Sequence, residues 1–341
     1  MIINSILTRV LIVLTLFFVI LLTTGLISVA TESDSQEKEQ FEVWAIPNID
    51  EGAEFYFSPD GKSLIGNAKF EDDPTHQVYT FNIDGTNIRR INDKGEDACS
   101  YYFPDGKRLI YTSTKDHPEM PKGNWSDARN YPQGAELYSC DLDGGNVIRL
   151  TNNEYYDAEV CVSPDGEWIL FGRQIDGRMD LWLMKPDGTE EKQITFTEEW
   201  QEGGAFWLDN ETILYRAWDR KVEGTRPMPM TIFTMKKDGS DVKRITHDEG
   251  TNWAPYPAPD KEHFVFVKFL EPRNYEIFLM SLITGEQTRL TYNEGFDGLP
   301  SISPDGKLLQ FASNRAADPD QPMSIRPYLM DISSLNIGPK E

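Results

Sequence analysis

Three aspartates, Asp97, Asp157 and Asp297, recur at one position of the chain, about seven residues ahead of a repeated turn. Gly52, Gln201 and Asn252 hold that position in the other copies. If these positions begin strands around a common axis, they ring one mouth. Three carboxylates there could hold a hard cation such as calcium, which takes oxygen ligands, or the donors of a peptide or sugar. The plainer alternative is that each caps a strand or pairs with a base. Lys69, Arg173, Arg216, Lys268 and Arg315 fall where the second strand of each copy should end, and Asp–Arg pairs there would tie neighbouring units together. A second set is aromatic. Trp125 lies in the longest insertion, and Trp200 and Trp253 lie in links with Tyr155, Tyr156, Tyr292 and Phe296. Exposed Trp and Tyr offer flat contact area with a polar rim for a sugar or protein; otherwise they pack on the adjacent unit. Trp168 and Trp182 fall within strand patterns and read as core.

No catalytic signature accompanies these residues. There is no Gly-x-Ser-x-Gly elbow, no HExxH and no phosphate-binding loop. His76, His117, His247 and His263 fall at unrelated repeat positions, and His263 opens a strand. An enzymatic reading therefore rests on Asp97, Asp157 or Asp297 acting with an Arg such as Arg173 on a carbohydrate.

The elements that position these residues repeat about every 45 residues, and such periodicity is the strongest pointer to architecture. Ser58-Pro59-Asp60-Gly61, Phe103-Pro104-Asp105-Gly106, Ser163-Pro164-Asp165-Gly166 and Ser303-Pro304-Asp305-Gly306 are clear copies; Ala258-Pro259-Asp260-Lys261 and Leu208-Asp209-Asn210-Glu211 are degenerate ones. Pro fixes φ near −65° and Gly accepts positive φ, so each marks a tight turn. A β-rich run follows each. A second marker, Asp-Gly at Asp84, Asp143, Asp187 and Asp238, joins another strand pair. Each unit is thus four antiparallel strands. One such sheet cannot bury both faces alone, so units of this size stack radially as propeller blades.

The markers resemble the PD40 (WD40-like) repeat of the TolB family, and Ser303-Pro304-Asp305-Gly306 with Ser313-Asn314-Arg315 matches its pattern best. The resemblance covers about residues 41–335 and implies an all-β, six-bladed propeller of four-stranded antiparallel blades. It implies no activity, because the repeat serves many proteins. The sixth unit lacks a fourth strand, and Phe41–Ile46 is expected to supply it and close the ring. Insertions after His117, Trp218 and Ala316 fall between second and third strands, which places them on one face, where variable loops carry function.

The chain has 341 residues, 56 acidic and 33 basic, with a net charge of −23. That balance excludes a phosphate backbone as main partner, since nucleic-acid binding needs clustered Lys and Arg. Val10–Ala30 is uncharged and follows Arg9. It reads as a cleaved signal ending at Ser28-Val29-Ala30 or as a single membrane anchor. Residues 1–30 are that segment, 31–40 a polar linker and 336–341 a C-terminal tail. Cys99, Cys140 and Cys161 lie in strand-like segments without metal-ligand spacing and read as buried thiols, although export would permit a disulfide. The expectation is an exported, monomeric, non-enzymatic binding module of the cell envelope, with a protein or glycan partner. No cofactor is expected beyond a divalent cation in the channel.

Overall fold

The computed structural model describes residues 40–315 and 324–340. The segment 1–30, nearly all of the 31–40 linker and the insertion starting at Ala316 lie outside the described residues.

Turn chemistry builds the units. In the first, the Gly61 amide donates to the Ser58 carbonyl (2.8 Å), and Gly61 sits at φ +71°. Ser58 Oγ donates to Asp60 (2.7 Å) and accepts from the Ser63 amide (3.0 Å), and Ser163 and Ser303 do the same in their copies. The Asp-Gly glycines are required twice over. Gly85, Gly144, Gly188 and Gly239 all have positive φ, and a Cβ on Gly85 would lie 2.1 Å from the Pro47 carbonyl. Past the last strand, a threonine caps its neighbour: Thr151, Thr195, Thr246 and Thr291 accept from the amides of Leu137, Leu181, Ile232 and Ile277 at 2.8–2.9 Å.

The result is six antiparallel sheets of four strands. The first blade is β2 (Gly52–Phe57), β3 (Ser63–Ala68), β4 (Gln77–Asn82) and β5 (Arg89–Arg90). The second is β6 (Asp97–Tyr102), β7 (Arg108–Ser113), β8 (Glu136–Asp141) and β9 (Ile148–Arg149). The third is β10 (Tyr156–Val162), β11 (Ile169–Ile175), β12 (Arg178–Met184) and β13 (Lys192–Gln193). The fourth is β14 (Trp200–Trp207), β15 (Thr212–Asp219), β16 (Thr231–Lys236) and β17 (Lys243–Arg244). The fifth is β18 (Asn252–Pro257), β19 (His263–Leu270), β20 (Asn274–Ser281) and β21 (Gln287–Arg289). The sixth joins β22 (Asp297–Ile302), β23 (Leu308–Ser313) and β24 (Arg326–Asp331) to β1 (Val43–Ala45). Its register, Val43 to Met330 and Ala45 to Tyr328, ties the two ends of the propeller together as expected.

Hydrophobic cores fill the seams between blades. Ile65, Tyr102, Leu109 and Tyr138 join the first and second; Ile46, Phe55, Leu64 and Leu329 join the sixth and first. Each seam needs its neighbour, so an open arc would leave one apolar face bare. The 336–341 tail is in part structural: Ile337 is buried in the seam of the fifth and sixth blades and accepts from the Asp260 amide (3.3 Å). Trp168 is half-buried and packs against the core of the third and fourth blades, with Lys185 and Lys192 about 4 Å from its ring. Trp182 is also half-buried, because the third strand of a blade lies toward the outside. The three cysteines are buried free thiols.

Candidate functional site

Every inner strand carries a bulge, and the bulge decides which side chains face the axis. Register slips by one residue between Ala53 and Tyr56 in β2, with equivalent slips in the other five. A bulge places one extra residue in the strand, and here that residue takes a positive φ. Glu54, Cys99, Glu159, Gly204, Ala254 and Leu299 occupy it, with φ between 39° and 55°. These six residues, not the aspartates upstream, ring the channel, and all line one cavity of about 890 Å³ that opens among the loops joining second to third strands. Two residues further along, Tyr56, Tyr101, Phe206 and Tyr256 meet across the axis with ring centroids 4.9–6.3 Å apart. The Tyr101 and Tyr256 hydroxyls touch at 3.2 Å. This aromatic cluster floors the cavity.

The upstream positions are buried in the blades. Asp157 is fully buried, holding Arg173 through Nε (2.6 Å) and Nη2 (2.8 Å) and accepting from Asn153 (2.9 Å). Arg173 also grips Glu191 of the same blade. This pair ties a blade to itself and not to its neighbour. Asp297 takes Arg315 at 2.5 Å. Asp97 has no arginine; it accepts from the Val78 amide of the first blade (3.1 Å) and from Asn92 (2.7 Å). Burial pushes the carboxyls of Asp97 and Asp297 up to about 6. Asn252 bonds to the Met230 carbonyl and Asp248, and Gln201 to Met179, Gly177 and Glu223. Of these five, Asp97 alone reaches the cavity wall, so they surround no shared centre. Lys268 pairs with Asp248 at 2.7 Å.

Two of the sequence equivalences shift by one residue. The fourth turn is shorter: the Leu208 amide donates to Thr212, four residues on, whereas the Ser163 amide donates to Trp168, five on. Glu202, not Gln201, is therefore the counterpart of Asp157; it lies opposite Ala217 as Asp157 lies opposite Arg173. Burial pushes its carboxyl up to about 7. By the same count Arg216 matches Gly172, so it projects from the other side of the sheet from Arg173. It enters the cavity wall, 5 % exposed, and crosses to the third blade to pair with Glu159 at 2.6 Å. Glycines at 203 and 204 make room: a Cβ on Gly203 would sit 2.3 Å from Glu159 Oε2 and 2.6 Å from Arg216 Nη1.

The polar wall is incompletely satisfied. Glu159 Oε2 accepts from the Gly204 amide (2.5 Å), and Glu54 Oε2 from Asn67 (3.1 Å) and the Cys99 thiol (3.4 Å). Arg216 Nε and Nη1, Trp125 Nε1, Trp218 Nε1 and Asn67 Oδ1 are buried without a hydrogen-bond partner. Burial, reinforced by Glu159, pushes the Glu54 carboxyl up; burial opposes the Arg216 charge, and Glu159, Tyr131 and Tyr156 together more than offset it.

The insertions roof this wall. Tyr131 stacks on Tyr156 (4.2 Å, 13°), with Trp125 5.8 Å from the same ring. Trp253 lines the cavity beside Tyr275 and Phe296. Trp200 does not line it and packs edge-on against Phe233. His117 accepts or donates within a cluster with Arg149 and Glu119, and His263 contacts Asp260 at 2.7 Å. Among the described residues, no group of three His, Cys, Asp or Glu side chains is placed to hold a metal.

The class is thus a six-bladed propeller with a blind central funnel. No protein-family model matches the chain. An uncharacterized protein of Agrobacterium fabrum is 27% identical over 268 residues, covering 67% of this chain and 87% of that one. A TolB homologue of Chlorobium luteolum is 27% identical over 161 residues, 45% of this chain but only 33% of the relative. The structure of a putative TolB from Agrobacterium tumefaciens superposes with a TM-score of 0.55 at 21% identity, over 74% of this chain and 87% of that one. An oligogalacturonate lyase in complex with manganese gives 0.51 at 14% identity, over 86% and 96%. The chain is a six-bladed β-propeller similar to those of TolB proteins.

Proposed function

We propose that this propeller is a non-enzymatic binding module that captures a protein or glycan partner at its loop-face funnel. The observation that carries this reading is the funnel wall: aromatic faces from several blades surround buried N–H groups that no protein atom satisfies. Such unpaired donors cost about 1–3 kcal/mol each when buried, which a ligand's acceptors would recover. The uncharged Val10–Ala30 segment supports work outside the cytoplasm, in the envelope or beyond, with the propeller as a monomer. Capture of envelope components by the full chain tests it. Trp125→Ala and Trp253→Ala should weaken capture with folding intact, and Trp200→Ala should not. Equal capture by all three variants sinks the proposal.

A carbohydrate-active enzyme is the second reading, favoured by one observation: two carboxylates, Glu54 and Glu159, face one cleft, and the first is raised. Perturbed groups in clefts are candidates for acid–base work. Turnover of polysaccharides, with and without manganese or calcium, lost in Glu54→Gln, would support it.

A further inference from the structure

The funnel's charges and open hydrogen-bonding sites are specific enough to name a ligand chemistry, given that the funnel is a binding site. Glu159 is fully used, with one oxygen on Arg216 and the other on the Gly204 amide. Glu54 lines the cavity and takes the hydrogen bonds of the Asn67 amide and the Cys99 thiol on Oε2, with no side-chain partner on Oε1. One open carboxylate oxygen suits a compact point charge. A guanidinium, by contrast, wants both oxygens of a carboxylate at once. The cavity lining carries four carboxylates, Glu54, Glu96, Asp97 and Glu159, against two guanidiniums, Arg216 and Arg226, within a chain of net charge −23. An anionic ligand would deepen that imbalance; a cationic one reduces it.

The remaining sites call for neutral groups. Arg216 Nε and Nη1, on a side chain more than nine-tenths buried, together with the indole N–H of Trp125 and Trp218, are donors lacking acceptors. Asn67 Oδ1 is an acceptor lacking a donor. Carbonyl oxygens and an amide N–H along a peptide would satisfy both kinds, while the stacked Tyr131 and Tyr156 give the chain a flat wall.

We propose that the funnel takes a peptide segment bearing a primary ammonium, held on Glu54 Oε1, with its carbonyls on Arg216 and the two indoles. The ammonium comes from a free N-terminus or from a lysine. This rests on the binding-module reading but fails separately from it. Calorimetry on the full chain uses three probes: Gly-Leu-Gly amide, its N-acetylated twin, and N-acetyl-Gly-Lys-Gly amide. The proposal expects saturable binding of the first or third, weakened about tenfold or more in the acetylated, lysine-free twin. Which of the two binds identifies the source of the ammonium. Glu54→Gln, nearly isosteric and checked for an unchanged melting temperature, should remove the advantage of the ammonium probes. The proposal is overturned if the acetylated twin binds equally, if Glu54→Gln changes nothing, or if neither ammonium probe saturates by about 10 mM. Continued capture of an envelope partner by Glu54→Gln, lost in Trp125→Ala, would overturn the ammonium site and leave the binding module standing.

Discussion

Asp157→Ala tests whether the recurring aspartates hold blades or ligands. In the wild type, Asp157 is fully buried and makes three hydrogen bonds of 2.6–2.9 Å, two of them to Arg173. Removing one partner of a buried pair costs about 3–5 kcal/mol, because the other charge is left without compensation. Glu191 still holds Arg173 at 2.6 and 2.8 Å, which moves the expectation to the lower end. The orphaned Asn153 amide adds about 1 kcal/mol, for a total of about 3–4 kcal/mol. Unfolding entropy near 2.1 cal/mol/K per residue gives about 0.6 kcal/mol/K for some 300 residues, so the melting temperature should fall by about 5–6 °C. Adding Arg173→Met to Asp157→Ala should restore part of the loss, since no buried charge then remains. Calorimetric melting of the four proteins of this cycle provides the measurement. A drop under about 1 °C, or a loss of partner capture at unchanged stability, would refute the structural assignment.

Three further outcomes are expected. Asp97 titrates near 6 when folded against about 4 when unfolded, so the folded chain holds an extra proton between these values. Stability therefore falls as pH rises from about 4 to about 6, by at most about 1.4 kcal/mol per unit for this group, and is flat above. Urea midpoints across that window should show a shallower decline in Asp97→Asn; an unchanged slope would exclude the assignment. Trp44 lies between Glu42 and Ile46, whose backbones bond to Asp331 and Pro327 at 3.1 Å. Trp44→Pro should release the closing strand and make the seam of the sixth and first blades the first site of limited proteolysis. Gly203→Ala would push a Cβ against Glu159 and Arg216. It should cost about 1–3 kcal/mol by overpacking and abolish funnel binding, measured by melting and by titration with the ammonium probes.

The blade count, the turns and the closing strand were legible because each depends on local chemistry: Pro and Gly at fixed φ, and alternation along short strands. The site was not. A bulge is a one-residue offset without a composition of its own; here Glu, Cys, Gly, Ala and Leu all occupy it. Counting back from the turn proline thus found Asp97, Asp157 and Asp297, two residues short of the positions that face the axis. The worn fourth turn added a second offset, which paired Arg216 with Arg173 although they project to opposite sides of their sheets. The signal that was available is polarity: Glu54 and Glu159, five residues ahead of Pro59 and Pro164, place a carboxylate at the same position of two inner strands.

The four rings that meet on the axis, Tyr56, Tyr101, Phe206 and Tyr256, make the pore a dead end. If the funnel binds as proposed, a guest would leave by the mouth it entered, and two guests would compete for one vestibule. Shortening the segments around Trp125 or Met228, which line the cavity, should then hasten departure more than it slows arrival.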